Sequence, residues 1–260
     1  MIHLRKGQEI EGLREAGRVA AEILKKTAEN VRPGASTAEI DRFAAELIKE
    51  KKCASAFLGY RNFPGHICIS LNDEVVHGIG RAARIIREGD IVKIDVGIVK
   101  NGWIGDNAMT VPVGEIAPET WRLLQATEDS LDAAIRHAIH NGSLRDLCGS
   151  VEKEVTKYGF SVVKQFVGHG VGRRLHEEPQ VPNWADPGIR TKLKAGMVLA
   201  IEPMINLGRA KTRTLADNWT AVTVDGKPSA HFEHMVLVTA DGPEILTARP
   251  RLTKPLLLAS

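Results

Sequence analysis

Five side chains would make a metal centre if the fold brought them together: Asp95, Asp106, His169, Glu202 and Glu233. Asp95 lies between Ile94 and Val96 in the β-branched, apolar run 91–99, where a carboxylate removed from water needs a partner. Asn101-Gly102 follows, the strongest short-range signal for a tight hairpin, because both central positions need a positive φ. A two-residue loop there sets Lys100 opposite Trp103 and Gly97 opposite Asp106. Asp95 then shares a face with Asp106 across the diagonal, with about 7–8 Å between backbones, near enough for both to grip the same ion or ion pair. A one-residue bulge would turn one acid away, so the pairing depends on register. Asp106 alone is compatible with a solvated acid at a strand end, but two acids on one face repel unless a proton or cation intervenes.

The pattern recurs later in the chain. Residues 88–95 can be laid over 195–202, matching a glycine, two apolar residues, a spacer, an isoleucine and then an acid, Asp95 in one copy and Glu202 in the other. Glu233 precedes the apolar run 235–238 much as Asp106 precedes 108–113. The acids therefore form two matched pairs, which suggests two related halves facing each other. His169 stands between Gly168 and Gly170, and glycines there permit close approach of another body to the imidazole. The glycine run has neither the lysine of a Walker loop nor the spacing of a dinucleotide fingerprint. Four carboxylates and an imidazole suit Mn, Fe(II), Co or Zn better than Mg or Ca, and can neutralise two divalent ions. Two ions about 3.5–4 Å apart would activate a bridging water and polarise a carbonyl or phosphoryl oxygen, the chemistry of a dinuclear hydrolase.

The elements that must position these residues alternate helices with strands. Ile10, Leu13, Gly17, Ala20, Leu24, Thr27 and Val31 mark one face of a helix over 8–31, stopped by Pro33-Gly34. Ser36 to Glu39 form a capping-box pattern that opens a second helix with Ile40, Phe43, Ala44, Leu47 and Ile48 inward. Residues 55–80 mix aromatics and glycines with a short strand at 67–71, then Val75-Val76-His77-Gly78. Such loops wall a pocket or cap a core, and His77 taken alone is an ordinary structural histidine. Pro118 starts a helix expected to reach about His140, with His137 and His140 on its polar side. Ser143 to Asp146 cap a fourth, carrying Leu147, Val151, Val155 and Tyr158 and closed by Gly159. The tail from Arg249, with Pro250 and Pro255, is expected to be an extended terminal segment.

With 260 residues, 43% of them hydrophobic, the chain can bury a large core. Because the acids come from both halves, a single domain over 1–260 is expected. A net charge of +3, from 35 basic and 32 acidic residues, is no nucleic-acid footprint, so no DNA partner is expected. Cys53, Cys68 and Cys148 show no pairing pattern, which suits a reducing compartment. The residues after Met1 form no signal peptide, and no run reaches the roughly 18 apolar residues of a membrane span. A soluble, cytoplasmic protein without membrane contact is expected.

The stretches 91–96, Gly105-Asp106, Gly168 to Gly172, His176 to Pro179, Ile201-Glu202-Pro203 and Phe232-Glu233-His234 resemble, in order and over nearly the whole chain, the type I methionine aminopeptidases in their short bacterial form. Only 33 positions separate His169 from Glu202, so the type II insertion is absent. The resemblance implies an α/β (α+β) pita-bread fold of two pseudosymmetric halves, each an antiparallel sheet covered by helices. It implies two divalent metal ions, Co, Mn, Fe(II) or Zn, on Asp95, Asp106, His169, Glu202 and Glu233, with Asp106 and Glu233 bridging. It makes Glu202 also the general base and then proton donor, and His77 and His176 the histidines that bind peptide and stabilise charge at the scissile carbonyl. Phe57, Tyr60, Phe63, Cys68 and Trp219 would line a methionine pocket. The reaction implied is removal of the initiator methionine from nascent polypeptide amino termini, preferably before a small residue, by a monomer; transient docking at the ribosome is left open. Asn107, Leu175 and Asn218 depart from the family pattern, which has threonine, an aromatic and glycine there. Xaa-Pro-directed relatives share the five ligands but carry a further amino-terminal domain, and metal-free pita-bread binding proteins typically lose ligands.

Overall fold

The hairpin carrying Asp95 and Asp106 forms in the expected register. In the computed structural model, which describes residues 1–252, strands Ile91–Lys100 and Trp103–Pro112 pair antiparallel with Lys100 opposite Trp103 and Gly97 opposite Asp106. Asn101 and Gly102 turn the chain at φ 51° and 77°, a conformation these two residues tolerate best. The pairing runs without a bulge, so both acids share a face.

Ile91–Lys100 is an interior strand, with Ala54–Ser55 and Cys68–Leu71 on one side and Trp103–Pro112 on the other. One face of it, Val92, Ile94, Val96 and Ile98, packs on α1 (Gln8–Glu29) and α2 (Thr37–Glu50) in a continuous apolar core. α1 lies so close that a Cβ on Gly105 would sit 2.3 Å from Ala16 O. The opposite face carries Lys93 and Asp95 toward the second half. There Val198–Ile201 is likewise interior, between His234–Val238 and Gly168–Gly170 in a five-stranded antiparallel sheet. α3 (Pro118–Arg136) and α4 (Leu144–Thr156) cover that half, burying Leu123, Leu131, Leu147 and Val151 against Leu199 and Ile201. The two strands matched by the internal repeat thus occupy corresponding places.

The halves are joined by backbone pairing and by side chains that bond across the seam. Glu74–Val76 of the first half pairs with Ala221–Thr223 of the second. Glu233 N donates to Ala108 O at 2.9 Å. Thr110 Oγ1 donates to His231 O at 2.8 Å and accepts from His231 N at 2.9 Å.

Three boundaries differ from expectation. α1 ends at Glu29 rather than Val31, capped by Asn30. α3 ends at Arg136, not His140, because Ala138 is drawn into the core while Asn141 N reaches Leu193 O and turns the chain; His137 and His140 are exposed as expected. Both halves of the capping box form at Ser36 and Glu39, whereas Ser143 only accepts from Asp146 N, and Tyr158 lies beyond α4. The tail is pinned to α3 by Arg249 on Glu128 and Arg251 on Asp129, at 2.9 and 2.6 Å; Pro255 lies outside the described residues. Among the described residues no helix is long and apolar enough to cross a membrane, and the three cysteines are free.

Thr110→Val removes the hydroxyl and leaves the buried His231 N–H without an acceptor, so the folded protein should lose about 1–3 kcal/mol. Urea denaturation checks this; an unchanged midpoint would mean that the hydroxyl does not tie the halves.

Candidate metal centre

Asp95, Asp106, His169, Glu202 and Glu233 all line one cavity of about 290 Å³. Asp106 and Glu233 are buried, whereas Asp95 and Glu202 are half-buried at its wall. Asp106, His169 and Glu233 each offer a ligand atom within 4.8 Å of the others. His169 Nε2 lies 3.5 Å from Glu202 Oε1 and 3.8 Å from Asp106 Oδ2.

The orientation of His169 is set by its own turn. Nδ1 donates to Gly170 O at 2.9 Å, and since a carbonyl only accepts, Nε2 keeps its lone pair toward the carboxylates, the tautomer a metal ligand needs. Burial holds the imidazole neutral, its pKa pushed down to about 3. The flanking glycines serve a different purpose from the one expected. A Cβ on Gly168 would lie 2.3 Å from Ala200 O, and one on Gly170 2.2 Å from Glu178 O. The bodies that approach closely are the two neighbouring strands.

The acids are crowded. Burial pushes Asp106 up to about 7 and raises Asp95, Glu202 and Glu233 well above the carboxylate range, with the Asp106 charge adding to each of those three. Asp95 Oδ1 and Asp106 Oδ1 are buried with no hydrogen-bond partner, and no lysine or arginine pairs with any of the four acids among the described residues. Unpartnered carboxylate oxygens beside an imidazole lone pair fit divalent transition ions, and four negative charges balance two of them.

The other end of the cavity is apolar. Phe57, Tyr60, Phe63, Cys68 and Trp219 line it. Phe57 rests on Gly97, where a Cβ would come within 2.4 Å of its ring. Phe63 stands edge-on to Phe57 and to Trp219, at centroid distances of 6.5 and 5.0 Å. Cys68 is the register partner of Asp95, so the apolar wall directly adjoins the acids. Burial, then the Asp95 charge, keeps its thiol protonated, which makes it a wall rather than a nucleophile.

His77 and His176 also line the cavity. Tyr60 Oη is 2.7 Å from His176 Nδ1, and the His176 ring is 4.3 Å from that of His169. His77 is held at φ 59°, strained for a non-glycine residue, with its ring edge-on to Phe166 and Trp219. Burial pushes His77 down to about 4, and burial followed by the Arg61 charge lowers His176. Both imidazoles are neutral.

Sequence reasoning missed Arg61 and Phe166 on the wall, and His231 behind it. His231 Nε2 is 3.8 Å from Glu202 Oε2 and has no hydrogen-bond partner. Its place two residues before Glu233 was the available signal. Of the three departures, Leu175 lines the cavity, Asn107 is buried beside Asp106 with Nδ2 donating to Val96 O at 3.3 Å, and Asn218 sits at φ 62°, which explains why glycine also suits that position.

The model of metallopeptidase family M24 matches residues 11–240. Methionine aminopeptidase 1 of Bacillus subtilis is 45% identical over 247 residues, 95% of this chain and 99% of that protein. The crystal structure of methionine aminopeptidase from Thermotoga maritima superposes with a TM-score of 0.93 at 40% identity, covering 96% of this chain and all of the other. Prolidase from Pyrococcus furiosus shares the fold alone, with a TM-score of 0.78 at 22% identity and 66% of its length covered.

Chelator-stripped protein should melt at a higher temperature when Mn(II) is returned, because an ion at about 100 times its Kd stabilises the folded state by about 2.7 kcal/mol. His169→Ala should lose most of that rise in a thermal melt; an equal rise in the variant would place the ion elsewhere.

Proposed function

The chain belongs to metallopeptidase family M24, and from that premise we propose how its side chains carry out the hydrolysis that methionine aminopeptidases perform. It is a metal-dependent aminopeptidase with the pita-bread fold, and it removes the initiator methionine. The observation that carries the residue assignments is the single cavity shared by five ligand-type side chains, two neutral histidines and an apolar wall.

In this reading Asp95, Asp106, His169, Glu202 and Glu233 would hold two divalent ions, Co, Mn, Fe(II) or Zn. When bound, such a pair supplies Lewis acidity that polarises the scissile carbonyl and acidifies water. Phe57, Tyr60, Phe63, Cys68 and Trp219 take the unbranched thioether side chain, which suits a mostly apolar, aromatic wall. The Cys68–Asp95 register sets the first peptide bond beside the acids. Glu202 accepts a proton from the attacking water and returns it to the departing amine. Tyr60, by donating to Nδ1 of His176, leaves Nε2–H of that ring free to donate to the carbonyl oxygen as negative charge develops. His77 binds the peptide beyond its first residue. A small second residue is preferred because Phe166, His77 and His176 stand close together at that place. The substrates are nascent amino termini, and the enzyme acts on them in the cytoplasm as one domain and a monomer. Neither alternative is favoured: the identity lies with methionine aminopeptidases rather than prolidases, and no ligand-type residue is missing.

Free methionine should be released from a Met-Ala-Ser peptide by stripped protein only after a divalent metal is restored, and an Ala-Pro peptide should stay intact. Cleavage of the Ala-Pro peptide alone would move the protein to the proline-directed branch. Glu202→Ala should lower kcat by about 100-fold or more; near-parental turnover in a folded, metal-replete sample would refute the assigned role.

A further inference from the structure

Lys93 is one of the largest fully buried side chains, and it takes no part in the chemistry above. It lies on the same face of its strand as Asp95, two residues away. Its Nζ donates to Asn72 O at 2.7 Å and to Ser229 O at 2.8 Å. Asn72 follows the strand Cys68–Leu71 of the first half, and Ser229 opens the strand Ser229–His231 of the second. Ser229 N also donates to Asn72 O at 3.0 Å, so the ammonium sits directly on the seam. The register partner of Lys93 is Thr110, whose hydroxyl bonds both main-chain polar groups of His231. Two facing residues of the first hairpin thus grip both ends of Ser229–His231, and Glu233 follows two residues later.

The cation is not there for an ion pair. Glu74, the buried acid nearby, is engaged by Leu71 N at 2.6 Å and Arg84 at 2.7 Å, and among the described residues Lys93 forms no salt bridge. Its protons go to main-chain carbonyls, and burial pushes its pKa down to about 7 against the longer-range pull of Glu74, Asp73 and Asp90. Carbonyls from two strands cannot bond to each other, and a donor with several protons is what joins them.

We infer that Lys93 is a positioning residue: its ammonium, shared by the carbonyls of Asn72 and Ser229, locks the strand bearing Asp95 to the strand leading to Glu233 and sets the spacing of the metal ligands from the two halves. This rests on the ligand assignment proposed above.

The test is calorimetric titration of chelator-stripped wild type and Lys93→Met with Mn(II), beside thermal melts of the stripped proteins. Binding by Lys93→Met should be about 10–100-fold weaker, the size expected when support behind the ligands is lost. A folded Lys93→Met protein that melts lower yet binds Mn(II) with parental affinity overturns the inference and leaves the ligand assignment standing. A wild type that binds no Mn(II) removes the ligand assignment, and this inference with it. If Lys93→Met does not fold, nitrogen-labelled lysine in the wild type decides by nuclear magnetic resonance. A slowly exchanging Lys93 ammonium coupled to the Ser229 carbonyl carbon supports the lock, and a freely exchanging one overturns it.

Discussion

Repulsion among four carboxylates in one poorly hydrated cavity is the constraint on which the rest of the molecule depends. Two unit charges 4 Å apart at an effective dielectric of 20 repel by about 4 kcal/mol, and here burial adds to that cost. Nothing local would keep such groups together. What does so is architecture: in each half an interior strand is buried against two helices on one face and turns its acid away from them. The cores on the outer faces supply the favourable burial, and the acids meet at the seam, where protons or bound cations relieve the repulsion.

The same register that gathers the acids also places the apolar wall. Because Cys68 faces Asp95 and Gly97 lies under Phe57, the apolar end of the cavity begins where the acidic end stops. Four histidines stand around the acids, His77, His169, His176 and His231, and burial lowers the pKa of each, so none serves as a counter-charge. Neutral imidazoles and unpaired carboxylates leave the positive charge of the site to the metal.

Much of this was legible in the sequence where chemistry and local geometry coincide. Asn101-Gly102 admits one tight turn, which set the register of Asp95 and Asp106, and the glycine–apolar–acid repeat located Glu202. Helix starts were clear at Ser36 and Pro118. Helix ends were not: α3 stops at Arg136 because of a long-range bond from Asn141 to Leu193, which no local pattern carries. The glycines around His169 invited a ligand-approach explanation, whereas strand packing is what excludes a Cβ. His231, Phe166 and the seating of Lys93 on Ser229 depend on contacts between the halves, and a buried lysine reads in sequence like any solvated one.

The most direct measurement is anomalous diffraction from a crystal of the protein grown with Mn(II). The expected result is two manganese peaks in the cavity, within bonding distance of Asp95, Asp106, His169, Glu202 and Glu233. Peaks confined to other parts of the molecule, with the four carboxylates hydrogen-bonded to one another, would contradict the account.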